Sequence, residues 1–291
     1  MEEGITMSIQ VGTVQRLKVI QQIQEGYRLS NGENHVILHH DIEQTPLKVG
    51  KLVDVFIYED QHRNLVASLT IPKVGFDTYD WVEVVDVHSR LGVFVNIGIP
   101  KDILVSIDDL PTYKQVWPKS GDKLYVKLGT DRSGRLLAIP ATEQVFMNMR
   151  EAAPNHVLHT KISGYVYHIG GEGSAIFTTE HYRGFIHKTE REQEPRLGEH
   201  VIGRVIDVKD DGTINVSLKP LKHERISDDA QIILDYLKAH HGVMPFNDKS
   251  HPDDIQTTFN FSKSAFKRAL GRLMKEQKVI QKNGKTYLVK E

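Results

Sequence analysis

The stretches Gly50-Lys-Leu-Val-Asp-Val-Phe-Ile-Tyr-Glu-Asp60, Gly121-Asp-Lys-Leu-Tyr-Val-Lys-Leu-Gly-Thr-Asp131 and Gly198-Glu-His-Val-Ile-Gly-Arg-Val-Ile-Asp-Val-Lys-Asp210 carry one pattern three times. Each runs from a glycine through an apolar-rich strand to an acidic turn. Each is followed by a second strand, at Leu65 to Leu69, Leu136 to Ile139 and Thr213 to Leu218. The starting glycines lie 71 and 77 residues apart, so a repeat is one folding unit of about 65 residues.

Upstream of the second copy, Leu91-Gly-Val-Phe-Val-Asn-Ile-Gly98 alternates Val93, Val95 and Ile97 with Phe94 and Asn96. That is the period-2 pattern of a strand with one buried face, and it turns Phe94 away from the core. Val82 to Val87 precedes this strand and Leu104 to Ile107 follows it, giving about five short strands to the unit. Closing five strands into a small barrel removes the edges an open sheet would expose. Asn31-Gly32 in the first copy and Asp211-Gly212 in the third are hairpin turns between strands. Between the second and third copies, Ala141 to Ala153 carries the helix formers Glu143, Gln144, Met147 and Met149 and reads as a spacer helix.

Leu91–Gly98, Arg183-Gly-Phe-Ile-His-Lys-Thr-Glu190 and Asp211-Gly-Thr-Ile-Asn-Val-Ser-Leu-Lys219 resemble the S1 RNA-binding domain, a five-stranded OB-fold barrel. The resemblance implies an RNA-facing surface that includes Phe94, Arg135 at the basic position after Ser133-Gly134, and His187. An outward Phe94 either stacks on a base or packs against the neighbouring repeat. The third copy departs from the pattern: Ala175 stands where the family has an aromatic, and Thr213 where it has a basic residue. Tyr165 and Tyr167, on one face of the preceding strand, either compensate for Ala175 or belong to a core. In the first copy Tyr27 and Arg28 fit the binding strand loosely.

Residues beyond Pro220 change character. Ser227-Asp-Asp-Ala230 reads as an N-cap and acidic first turn, followed by an apolar stripe at Ala230, Ile233, Leu234 and Leu237 that Gly242 stops. A second short helix is expected near Pro252. A third starts at Ser262, with Phe261 and Phe266 placed as a hydrophobic staple. Asn283-Gly284 joins two short strands through a type I′ turn. Three helices and a terminal hairpin make a winged helix. Lys263, Lys267, Arg268, Arg272 and Lys275, with Lys282 and Lys285 at the wing, form its candidate nucleic-acid face. Lys263 and Ser264, where Asn, Gln or Arg would read bases, argue against sequence-specific operator recognition.

The net charge of −1 hides an asymmetry: residues 1–225 carry 26 Lys/Arg against 30 Asp/Glu, and residues 226–291 carry 11 against 8. Hydrophobic content of 39% with 26% charged residues is that of a globular protein. No apolar run approaches the roughly 18–20 residues of a membrane helix, and the start at Met1 lacks the features of a signal peptide. With no cysteine, disulfides and thiolate chemistry are excluded, and a cytoplasmic location is expected. His156 and His159, or His35, His39 and His40, lack further ligands at metal spacing. Gly170-Gly171-Glu-Gly173 lacks the Lys-Ser/Thr of a phosphate loop and reads as a turn. No paired carboxylates or nucleophile elbow is found, so neither an enzyme nor a cofactor is expected.

The expected fold is mainly β with an α+β C-terminal domain: three tandem OB barrels at 1–72, 73–140 and 156–222, a helical linker at 141–155 and a winged helix at 226–291. In this order the domains are similar to the conserved virulence factor B family of bacterial RNA-binding proteins. That resemblance implies single-stranded RNA as partner and a regulatory role. The alternatives are DNA bound through the winged helix, and docking on a ribosome or nuclease partner.

Overall fold

β1 (Val14–Ile23), β2 (Gly26–Ser30), β3 (His35–His39), β4 (Leu52–Glu59) and β5 (Leu65–Ser68) close into a barrel in the order β1-β2-β3-β5-β4. The computed structural model describes residues 8–39, 46–220 and 222–289; the chain start and His40 lie outside them. β6 (Asp80–His88), β7 (Gly92–Asn96), β8 (Ile103–Ser106), β9 (Lys123–Thr130) and β10 (Leu136–Pro140) close in the same order. So do β11 (Lys161–Gly170), β12 (Gly173–Thr178), β13 (Arg183–His187), β14 (His200–Val208) and β15 (Ile214–Ser217). In each barrel the third and fifth strands pair in parallel and the other neighbours are antiparallel. The chain divides into two compact units, Met1–Leu218 and Lys219–Glu291.

The expected alternation fills the barrels. Leu17, Val19, Leu29, Val55 and Ile57 are buried in the first, Val84, Val93, Val95, Val105 and Val126 in the second, and Val166, Ile176, Ile186, Val205 and Ile214 in the third. Each first strand shifts register against the second at a bulge, between Val19 and Gln21, Val84 and Asp86, and Val166 and His168. A bulge bends its strand and increases its twist, as closure of so small a barrel requires. A glycine opens each second strand. At Gly26 and Gly92, with φ of +150° and +135°, an added Cβ would collide with the carbonyl oxygens of Leu38 and Val105 on the third strand. Gly173 is crowded in the same way by the Ile186 carbonyl.

Barrels one and two share a core cluster that joins Phe56, Tyr58 and Val66 to Val74 and the second barrel's valines. Between barrels two and three stands α1 (Glu143–Met149), the expected spacer helix, with Phe146 buried in an aromatic cluster. Its ring lies 3.9 Å from Tyr167, 5.1 Å from Phe177 and 5.6 Å from Tyr125. The Arg196 guanidinium donates to both Asp122 oxygens at 3.0 Å, which ties the third barrel to the second.

The second unit packs α2 (Lys222–Ala239), α3 (Pro252–Phe259) and α4 (Lys263–Lys275) around Ile233, Leu237, Ile255, Phe266 and Leu270. The helix expected to open at Ser227 starts earlier, at Lys222, which places Ser227 inside it. Lys222–Ile226 are helix-compatible, and Pro220 just upstream is the natural stop. Ser262 caps α4 as expected, its hydroxyl accepting from the Ala265 N–H, and the Phe261 and Phe266 rings stack at 6.4 Å. β17 (Val279–Lys282) and β18 (Lys285–Leu288) form the hairpin, with φ of +52° at Asn283 and +77° at Gly284 as a type I′ turn requires. The hairpin gains a third strand that sequence reading misses, β16 (Val243–Met244), which pairs with β18.

Gly92→Ala should destabilise the first unit by about 2 kcal/mol or more, since the methyl meets a strand carbonyl as well as an unfavourable φ. Gly121→Ala, at φ +93° with open space around the added carbon, should cost only the backbone term of about 1–2 kcal/mol. Urea unfolding of the two variants measures the difference; equal losses would mean that the carbonyl approach is unimportant.

Candidate nucleic-acid interface

The strand registers define one outward row per barrel. In barrel two it runs Asp86, Phe94, Leu104 and Leu137 across four strands. The matching row in barrel three is His168, Ala175, Phe185 and Asn215, and in barrel one it is Gln21, Arg28, Ile37 and Val66. Phe94, Ala175 and Arg28 are therefore equivalent, each two residues beyond its crowded glycine.

Phe94 points outward and is half-buried. Its ring helps line an open cleft of about 460 Å³ between barrels one and two, with Tyr58, Asp60 and Gln61 on one wall and Asp86, Pro100, Lys101 and Asp102 on the other. Lys101 Nζ donates to the Glu59 carbonyl at 2.7 Å, which fixes the two walls together. Phe94 thus sits at the junction of two repeats and still faces open space.

The other barrel candidates disperse. Arg28 is half-buried beside Gln21, whose Oε1 accepts from Nη1 at 3.3 Å. Tyr27 belongs to the core of barrel one, 2% exposed, and its hydroxyl accepts from the Leu47 N–H. The expectation of an RNA-facing Tyr27 is corrected: β2 alternates, so Tyr27 and Arg28 cannot share a face. Tyr165 and Tyr167 do share one, but it is the joint between barrels. Tyr165 packs 5.0 Å from both Trp81 and His200, and Tyr167 stacks on Phe146 while donating to Glu143 Oε2 at 2.7 Å. Burial first, and then the Glu143 carboxylate, push the Tyr167 hydroxyl well above its ordinary range, so it remains a proton donor.

Arg135 closes its own turn. Its backbone N–H and guanidinium both donate to Asp131, which is held well below the usual carboxylate range by these bonds and by Ser133. Thr213 does the neutral version of this at Asp211, through its N–H at 2.9 Å and hydroxyl at 2.7 Å. His187 caps a short 3₁₀ turn, with Nδ1 2.8 Å from the Thr189 hydroxyl and Nε2 3.8 Å from Glu172.

On α4 the buried stripe of Phe266, Ala269, Leu270 and Leu273 turns Lys267, Arg268 and Lys275 to solvent. Arg272 lies off that face and donates to Glu276 at 2.8 Å, and Glu276 also pairs with Lys278 at 2.8 Å. These two cations hold the Glu276 carboxyl down at about 2. Lys263 is half-buried on the opposite flank, its Nζ 3.5 Å from the Lys249 carbonyl. Lys282 and Lys285 face each other across the hairpin and are exposed. The basic surface is thus smaller than its sequence suggests.

Family models match the chain in order: an S1 domain over residues 11–70, the CvfB first S1-like domain over 79–139, the second domain of virulence regulatory factor CvfB over 146–220, and the CvfB-like winged helix domain over 231–288. Conserved virulence factor B of Staphylococcus epidermidis is 35% identical over 285 residues, covering 97% of this chain and 95% of that protein. The chain belongs to the conserved virulence factor B family. Protein YitL of Bacillus subtilis is 45% identical over 280 residues, covering 96% of this chain and 94% of that one. A crystal structure of a multidomain protein with nucleic acid binding domains from Streptococcus pneumoniae aligns over 96% of this chain and 98% of that one, with 36% identity and a TM-score of 0.67. The family's specific S1 models begin at barrel two here, and barrel one matches only the general S1 description.

Because the Glu276 carboxyl is depressed from 4.5 to about 2, its pairing stabilises the winged helix fully above about pH 4.5 and is lost as pH falls toward 2. Glu276→Gln should therefore flatten this unit's melting temperature between pH 5 and 2, as followed by circular dichroism. A slope unchanged from wild type would place the titration elsewhere.

Proposed function

We propose that this chain is a non-catalytic cytoplasmic protein that binds single-stranded RNA and regulates bacterial gene expression post-transcriptionally, including the expression of virulence factors. The observation that carries the reading is Phe94: an outward, half-exposed ring on a closed S1-like barrel, beside a cleft of about 460 Å³. Every base has a π-face, so one exposed ring can hold a nucleotide regardless of sequence, an interaction worth about 1–3 kcal/mol. Lys267, Arg268 and Lys275 of α4 supply a second, electrostatic site through phosphates, with Lys282 and Lys285 at its edge. Linked sites give avidity that neither has alone. The regulatory part of the reading rests on the virulence-factor name of the staphylococcal relatives.

Fluorescence anisotropy with labelled single-stranded RNA, single-stranded DNA and duplex DNA across a salt series tests the proposal. Single-stranded RNA should bind tightest, and Phe94→Ala should weaken it about 5- to 100-fold. Replacing Lys267, Arg268 and Lys275 together by alanine should lower the log-log salt slope by up to about 2, at roughly 0.7 for each phosphate no longer neutralised. Tighter binding to duplex DNA would favour a transcription regulator. No binding to any of the three would favour a protein-docking module.

A further inference from the structure

We infer that barrel three holds an unpaired nucleobase on Phe185, one strand away from the position that Phe94 occupies in barrel two. The inference rests on the stacking reading proposed for barrel two. Ala175 is the equivalent of Phe94, and its small side chain removes the aromatic from this position, while Phe177, two places on in β12, is buried against Phe146. Yet Ala175 points outward and is only 2% exposed. Its partner across the strand register is Phe185 on β13. The Phe185 ring extends over Gly173 as well, with Cζ 2.7 Å from where a glycine Cβ would stand. Absence of a side chain at Gly173 and a minimal one at Ala175 together let the ring settle against β12. Neighbouring strands lie about 4.8 Å apart, so the aromatic surface has moved sideways by about that distance.

The surroundings of Phe185 suit a base better than a phosphate. His187 lies on the same face of β13 with its ring centroid 6.4 Å away, inclined at 57°. Exposed His168 stands on the far side of Ala175, and Asn215 lies beside Phe185 on β15. The exposed His168 imidazole and the Asn215 amide, which also donates to Asp207 at 3.2 Å, offer polar groups to a base edge. The nearby cations are already engaged. The Arg183 guanidinium is 5.8 Å from the Phe185 ring but donates to Glu143 at 3.1 Å, and Lys188 pairs with Glu172 at 3.0 Å. Binding here is therefore stacking with edge hydrogen bonds and releases few counterions.

Phe185→Leu separates stacking from packing, because leucine keeps apolar cover over Gly173 and Ala175 but has no π-face. The full-length chain should be titrated against a fluorescein-labelled oligouridylate and an oligoadenylate of about 20 nucleotides, longer than one OB fold occupies. Phe185→Leu should weaken binding about 5- to 100-fold, leave the salt slope and the melting curve at wild-type values, and be rescued by Phe185→Tyr. Photocrosslinking with a 5-bromouridine-substituted oligonucleotide should mark the peptide containing residues 183–187. Wild-type affinity in Phe185→Leu overturns the inference, and so does a loss that comes with a shifted melting curve and no crosslink at 183–187. Phe94→Leu, run in parallel, separates the two levels. Weakening by Phe94→Leu but not by Phe185→Leu removes only this site, whereas wild-type affinity in both, with the chain still bound, removes the stacking reading beneath it.

Discussion

The close approach of the third strand to a glycine at the head of the second sets the rest of the first unit. At Gly26, Gly92 and Gly173 a carbonyl oxygen occupies the space of a β-carbon, so the two strands can pair only with that residue bare. Once the register is pinned there, the residue two places on must face outward in every copy, because side chains alternate along a strand. The bulge in the first strand does the complementary work, bending the sheet so that five strands meet. One steric constraint thus builds three barrels and presents Arg28, Phe94 and Ala175 at one equivalent outward position. What each barrel can do then depends on which residue evolution has left at that position and beside it.

The joints between barrels use up side chains that a sequence reading would assign to ligand. Tyr165 and Tyr167 have the composition of a stacking platform, but both are half-buried in the joint, Tyr165 packed against Trp81 and Tyr167 stacked on Phe146. Arg196 and Asp122 lock the same joint with two parallel hydrogen bonds, the geometry in which a guanidinium and a carboxylate interact most strongly.

Charge follows a similar economy. Arg135 and Arg272 read as available cations, but both donate to a carboxylate within 2.8 Å, and Arg183 does the same at 3.1 Å. A paired cation still contributes to the local potential, but binding a phosphate then requires breaking or sharing an existing bond. Lys267, Arg268 and Lys275 on α4 are exposed and make no ion pair among the described residues, which concentrates the electrostatic part of the proposed interface in the winged helix. The two units therefore offer different physics, aromatic surface in the barrels and uncompensated charge in the helix.

The threefold repeat, the inward valines, the outward Phe94, the Ser262 cap and the Asn283-Gly284 turn are all legible in the linear chain, because each depends on a period or a local backbone preference. The departures have a common cause. Tyr27 goes inward because strand parity decides its face, and parity is known only when the strand's first residue is known. The start of α2 at Lys222 escapes a sequence reading because a serine followed by acids mimics a cap wherever it occurs. β16 is two residues long and exists only by pairing with β18. Phe185 cannot be recognised beside Ala175, since ten residues of sequence separate two side chains that the register sets next to each other. Local chemistry and periodicity determined the kind of domains and their order. Long-range pairing decided the surroundings of the other aromatic rings, Tyr165, Tyr167 and Phe185, because neighbourhood across a sheet is not written in sequence distance.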